Sequence, residues 1–293
     1  MHWNRKLALV VLLLAALIGG ATWAQAEPAL WVVKGPHATV FLFGTVHVLK
    51  KDEPWRSERI NAAIKQSGSL WLEIPNVDDP QSMQPIIMQL GLDQAHPLSS
   101  KLTAEQVAKL DKIAKSIGMP NGAGSLEPLK PWLAAITVSV APIMLAGYDP
   151  NSGVESVLKP EFDKAGKPVK GFETAEQQIH YFADLSEKAQ VDYLSSELDD
   201  YDGAVDKFKK IVADWYAGDE KALDEALSAE LREKHPDLYQ LLVVKRNEGF
   251  VRQIEDLLKR DGSVFIAIGA GHLVGKDGLP EMLKKLGYKV VKE

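Results

Sequence analysis

No cysteine occurs in the sequence. Disulfides, thiolate metal ligands and a thiol nucleophile are therefore excluded. The H-E-x-x-H, G-x-S-x-G and phosphate-loop motifs are also missing, so nothing in the chain supports a zincin, an elbow-type serine hydrolase or a nucleotide hydrolase. Basic charge is in deficit: 40 Asp and Glu face 34 Lys and Arg, for a net charge of −6. A nucleic-acid partner is not expected from such a balance. No uncharged apolar run reaches the roughly 20 residues that a membrane span needs. The longest internal one, residues 132–147, contains Pro142 and predicts a buried helix.

The first residues show another pattern. His2, Arg5 and Lys6 precede a short apolar run over residues 7–18, small residues come next, and Ala24-Gln25-Ala26 has the A-x-A form of a cleavage site. This layout predicts a secretory signal peptide over residues 1–26. An exported chain that needs no disulfide suits a bacterial periplasm. Contact with a membrane is expected only through an uncleaved leader, and the oligomeric state is left open.

From residue 27 on, hydrophobic content is that of a globular protein, 46% for the whole chain. Short, wholly apolar runs predict strands covered on both faces. Residues 31–33 and 39–43 predict a hairpin around Gly35-Pro36. Residues 70–72, 168–170, 264–268 and 288–291 predict the other strands. Helices are expected between them. Thr103-Ala104-Glu105-Gln106 and Thr174-Ala175-Glu176-Gln177 have the form of capping boxes. Residues 187–231 are acidic with helical period and break near Gly218; residues 236–260 read as one helix burying Leu238, Leu241, Leu242, Ile254, Leu257 and Leu258. Together these predict one α/β domain over residues 27–293. Its mixed or mostly parallel central sheet would be flanked by helices, with a large helical insertion over about residues 174–260.

The same unit occurs twice. Residues 40–47 read VFLFGTVH and residues 264–272 read VFIAIGAGH, each an apolar strand followed by G-x-x-H. Two other predicted strands end at Glu73 and Glu173. Ligands of α/β sheets bind beyond the carboxyl ends of parallel strands. If these strands are parallel neighbours, His47, His272, Glu73 and Glu173 meet at one rim. Two imidazoles and carboxylates suit a divalent ion of the Mn, Co, Fe or Zn kind. A carboxylate beside it could serve as base, and the sequence leaves open which of Glu73 and Glu173 is ligand and which is base. Arg246 has two readings, a clamp for a substrate carboxylate or oxyanion and a pair with Glu248 or another acid. His37, His96, His180 and His235 lack the spacing and are read as surface or structural residues. G-x-G-x-x-x-G at residues 269–275 is a weak dinucleotide signal with too little chain behind it.

FGTVHVL, LWLEIP, GKPVKGFET with the following Gln177 or Gln178, RNEGFVRQI and IGAGHLVGKDGLPEMLKKLGYKV together resemble the TraB/GumN family. That family includes the Tiki proteins and resembles erythromycin esterases and the haem-binding ChaN proteins. The resemblance runs over about residues 29–291. It implies a divalent-metal-dependent peptidase, with Mn or Co in first place and Zn or Fe as alternatives, acting on a peptide or protein. It places His47 and His272 at the motif histidines, Glu73 and Glu173 at the acidic positions, and Arg246 and Asn247 at a recurrent Arg-Asn pair. Gly153-Val154-Glu155 departs from the Gly-Val-Asp of relatives, which puts a tight role for Glu155 in doubt. The rival expectation is a protein that binds haem, metal or peptide without turnover. N-terminal sequencing of the exported protein is expected to begin at Glu27; retention of Met1 would defeat the leader assignment.

Overall fold

The computed structural model describes residues 27–75 and 80–293. The expected signal peptide over residues 1–26 lies outside them. Among the described residues, six strands form one sheet: β1 (Leu30–Lys34), β2 (Ala38–Thr45), β3 (Ser69–Leu72), β4 (Val169–Gly171), β5 (Gly262–Gly269) and β6 (Lys289–Lys292). Their order is β4-β3-β5-β2-β1-β6. β2 and β3 run parallel to β5 on either side of it, β4 runs parallel to β3, and β1 is antiparallel to β2 and β6. The mixed, mostly parallel α/β sheet is thus the architecture read from the alternation of apolar runs. The hairpin turn closes where Gly35-Pro36 places it, with the Gly35 N–H donating to the Ala38 carbonyl at 2.9 Å.

The all-apolar strands are explained by helices on both faces. The helices are α1 (Glu58–Gln66), α2 (Pro80–Gly91), α3 (Ala104–Ser116), α4 (Pro131–Leu145), α5 (Val154–Lys164), α6 (Ala175–Ala183), α7 (Glu187–Asp200), α8 (Ala204–Tyr216), α9 (Glu220–Asp224), α10 (Glu230–Lys234), α11 (Pro236–Tyr239), α12 (Lys245–Leu258) and α13 (Leu279–Lys285). Phe41, Phe43, Phe265 and Ala267 pack towards α1, α5 and α8. The alternate residues Val40, Leu42, Ile266 and Ile268 pack towards α12 and α13. A separate cluster joins α3, α4 and α7 through Leu110, Ile113, Val138, Leu194 and Leu198. Helical chain separates β3 from β4 (residues 80–164) as well as β4 from β5 (residues 175–258).

Both predicted capping boxes form, at Thr103 with Gln106 and at Thr174 with Gln177. Gly218, with φ of 62°, marks the break after α8. Two expectations need correction. Most of residues 132–147 lies in α4 (Pro131–Leu145), but the helix is covered on one side only, and Val140, Met144 and Leu145 stay exposed. No helix among the described residues is long and apolar enough to cross a membrane. The helix expected as continuous over residues 236–260 contains a π-helical segment at Gln240–Val244. Leu238, Ile254, Leu257 and Leu258 are buried as expected, but Leu241 and Leu242, within the wider turn, are only half-buried, and Val243, Asn247 and Phe250 face inward as well.

Helix α8 reaches the rim through Trp215. Its buried indole N–H donates to the Gly44 carbonyl at 2.7 Å, just before His47. Trp215→Phe is expected to lower unfolding stability by about 1–3 kcal/mol, since the rim carbonyl loses its buried donor. An unchanged urea midpoint would show that this bond holds nothing in place.

Candidate functional site

The register of the sheet sets the ends of four parallel strands side by side. Thr45 lies opposite Gly269, and Leu72 lies opposite both Ala267 and Gly171. The chain leaves these strands into His47, His272, Glu73 and Glu173 in spatial order. The strands that end at these four residues are therefore neighbours, as a shared rim requires.

Glu73 lies at the middle. Its Oε1 accepts from the Gly269 N–H at 2.7 Å, and its Oε2 accepts from Arg246 Nη2 at 2.5 Å and Gln178 Nε2 at 3.0 Å. A Cβ built on Gly269 would stand 3.0 Å from Glu73 Oε1 and 3.2 Å from His47 Nε2. The glycine is what lets the carboxylate and the imidazole approach the strand end together. His272 Nε2 lies 4.0 Å from the same Oε1. Burial works against ionisation of Glu73, but His272, Arg246 and His47 and the Gly269 N–H outweigh it and hold the carboxyl well below its usual range.

The two histidines are oriented in the same way. His272 Nδ1 lies 2.6 Å from Asn247 Oδ1. Asn247 Nδ2 donates to the carbonyls of His272 at 3.2 Å and Asp277 at 2.7 Å. Carbonyls only accept, so these two bonds fix which way the amide points. Its oxygen must face the ring, Nδ1 must carry the proton, and the lone pair is left on Nε2. His47 Nδ1 lies 2.8 Å from Glu155 Oε1, which also accepts from Thr45 Oγ1, and its Nε2 lies beside Gly269. Glu155, doubted as a tight contact, is buried and fixed in the first turn of α5. Gly153 brings that turn in, because a Cβ there would collide with the His47 carbonyl.

Glu173 and Arg246 stand behind this front. Glu173 accepts from Arg246 Nε at 3.0 Å and Nη2 at 2.8 Å, from Tyr181 OH at 3.0 Å and from Gln178 Nε2 at 3.2 Å. Arg246 bonds both acids, lies between the rings of Tyr181 and Phe250, and is 11% exposed. Its partners are thus the two rim acids, not Glu248. The four expected metal ligands do not form a common shell: among the described residues no group of three or more His, Asp or Glu side chains is arranged to hold an ion. Glu173 in particular is screened by its own donors. His96 and His180 pair with Asp93 and Asp184, away from the rim.

Two openings flank His47. One is lined by Glu73, Ile74, Pro150, Glu155, Ser156 and Gln178. The other is a largely apolar cleft of about 370 Å³ that begins at His47 and the Gly269–Gly271 backbone.

Surroundings push the two imidazoles apart. The Glu155 charge raises His47 to about 9, although the ring is 63% exposed and solvent screens part of the effect. Burial lowers His272 to about 4 against the pull of Glu73. Their linkages have opposite signs. The His47 contribution to stability is complete below its usual 6.5 and fades as pH rises through about 9. That of His272 is complete above 6.5 and fades as pH falls towards about 4. In metal-free protein the NMR ring resonances are expected to show His47 still protonated at roughly pH 7.5 and His272 neutral at roughly pH 5.5. A shared midpoint near the ordinary value would contradict the geometry.

Comparison with known proteins identifies relatives over most of the chain. The chain is 24% identical to the uncharacterized protein YbaP of Escherichia coli (strain K12) over 271 residues, 92% of this chain and 96% of the relative. It is 23% identical to the metalloprotease TIKI2 of Danio rerio over 318 residues, covering 89% of this chain but 60% of that longer protein. A shorter stretch is 41% identical to the metalloprotease TIKI1 of Xenopus tropicalis over 54 residues, 18% of this chain and 11% of the relative. No solved structure matches the chain at a significant level. Residues 29–292 match a single family throughout, so the chain with this strand-end constellation belongs to the TraB/PrgY/gumN family.

Proposed function

We propose that the chain is an exported, divalent-metal-dependent peptidase whose ion would be held by His47, His272 and Glu73 once these three side chains draw closer together than the structure places them. One observation carries the reading. Two imidazoles from different strand ends are each held through Nδ1; His272 Nε2 lies 4.0 Å from Glu73 Oε1, and His47 Nε2 and that same oxygen both border Gly269. Metal-bound histidines commonly have this support on the far nitrogen. The donor set, two neutral nitrogens and one carboxylate oxygen, fits Mn, Co, Zn or Fe, and we place Mn or Co first. The names of the Tiki relatives point to the same chemistry.

Glu73 suits an ion better than a proton. Arg246 and the Gly269 N–H hold it ionised while leaving Oε1 with a free lone pair. Glu173 is assigned a different role, because its oxygens are taken by Arg246, Tyr181 and Gln178. It fixes Arg246, which in turn fixes Glu73. Neither Glu173 nor Arg246 is left aimed at a substrate, so both are read as positioning residues. Asn247 keeps His272 in the tautomer that can donate a lone pair; Glu155 holds His47 through Nδ1, so that an ion would have to displace the Nε2 proton to bind there. A bound ion would polarise the scissile carbonyl and lower the pKa of its water. The opening lined by Gln178 and Ser156 is the side from which that water would arrive.

His47→Ala and His272→Ala are each expected to abolish metal uptake by elemental analysis while circular dichroism shows a retained fold. Peptide-library cleavage should stop with a chelator and return with Mn or Co. Stoichiometric metal in both variants would remove the basis of the assignment. Loaded protein that binds peptides and leaves them whole would make it a binding protein instead.

A further inference from the structure

The apolar cleft next to His47 takes no part in holding the ion. Its walls are Val48 from the loop after β2, Val140 and Ile143 from α4, Phe208 and Ile211 from α8, and Leu227 from the π-helical Glu225–Ala229. Its inner end is the Gly269–Gly271 backbone, and His47 closes one side. A space of about 370 Å³ falls at the small end of the roughly 300–1,000 Å³ typical of ligand sites.

The polar side chains that touch it are already engaged. Thr45 Oγ1 donates to Glu155, His47 Nδ1 is held by the same carboxylate, and Ser139 Oγ donates to the Ile136 carbonyl at 3.2 Å. The Gly269 N–H is held by Glu73. Apart from His47 Nε2 at the edge shared with the rim, a polar or charged group entering the cleft would give up water and gain no free side-chain partner, whereas an apolar group would lose only water contact. The glycines keep the inner wall open. At Gly269 an added Cβ would press on Glu73 and His47, and at Gly271 it would face Leu227 at 3.9 Å across the cleft.

We propose that this cleft receives one large apolar side chain of the peptide substrate, of Leu or Phe size, at a position next to the scissile bond. This deepens the peptidase reading and rests on it for the position of the bond. His47 then has two sides: an apolar side chain lies in the cleft, and the peptide carbonyl faces Glu73 and His272. Val140 is 44% exposed at the mouth, with Met144, also exposed, one turn further along α4, so the apolar surface runs outward from the site. A neighbouring residue of the substrate would lie along that ridge.

The test uses the full exported chain and two readouts. Alanine-based, fluorescein-labelled octapeptides carry one central Leu, Phe, Ser or Asp. Binding is followed by anisotropy on metal-free protein, and cleavage on metal-loaded protein. Leu and Phe peptides are expected to bind at least about 10-fold more tightly than Ser or Asp peptides, and to be cut with a kcat/KM larger by a similar factor. Val140→Asp, an exposed position that leaves the fold intact, should erase the preference while metal content stays at the wild-type level. Val140→Trp should narrow the mouth and shift the preference from Phe towards smaller apolar residues. Equal binding of Leu and Asp peptides overturns the proposal, as does failure of all four to bind or be cut. Apolar preference in binding with no cleavage would leave the cleft standing and defeat the peptidase reading. Cleavage indifferent to the central residue would do the reverse.

Discussion

Everything at the rim depends on one largely buried carboxylate that is fixed at both oxygens. Glu73 is tied to the backbone of β5 through Gly269 on one side and to the guanidinium of Arg246 on the other. The first bond crosses between adjacent strands, so it holds only in this register. The second reaches across from α12 and brings Glu173 with it. Three buried charges thereby share one neighbourhood with a net charge near that of a single carboxylate. The desolvation cost of each is offset by bidentate contacts and by the rings of Tyr181 and Phe250. Removing Arg246 would leave both acids without their cation, whereas removing either acid leaves Arg246 paired with the other.

The π-helical turn before α12 has a defined place in this arrangement. With it, Arg246 and Asn247 stand side by side on the helix, and each meets a different partner on the rim. Arg246 meets the acids of β3 and β4, and Asn247 meets His272 beyond β5. One local widening thus serves two strand ends at once.

Much of the fold is legible in the sequence because apolar runs ended by glycine are short-range signals. The hairpin, both capping boxes and the strands ending at Thr45 and Gly269 depend on neighbours in the chain. The rim acids can be named because each comes directly after a strand. The division of labour between Glu73 and Glu173 cannot be read this way. It depends on how far Arg246, Gln178 and Tyr181 reach, and spacing does not encode reach. Tyr181 belongs to no motif, although it lies three residues from Gln178 on α6, on the face that the Thr174 capping box aims at the rim. Asn247 offers a readable sign, a polar residue inside the buried stripe of Val243, Phe250, Val251 and Ile254. The tight role of Glu155 is hidden because residue type alone says nothing of a helix start brought against a loop by Gly153.

The two histidines differ in what anchors them, and this bears on how such chemistry could be moved to another scaffold. His272 relies on a neutral amide sealed in the interior, whose own donors are spent on two loop carbonyls, while Tyr239 donates to the Asp277 side chain at 2.9 Å from behind. Grafting that half means transplanting a section of core. His47 relies on one acid at the opening turn of a helix and on a loop that lies in solvent. That half could be rebuilt on any protein offering a strand end, a glycine and a helix start in contact, and it is where a designer would find room to alter reactivity without repacking the interior.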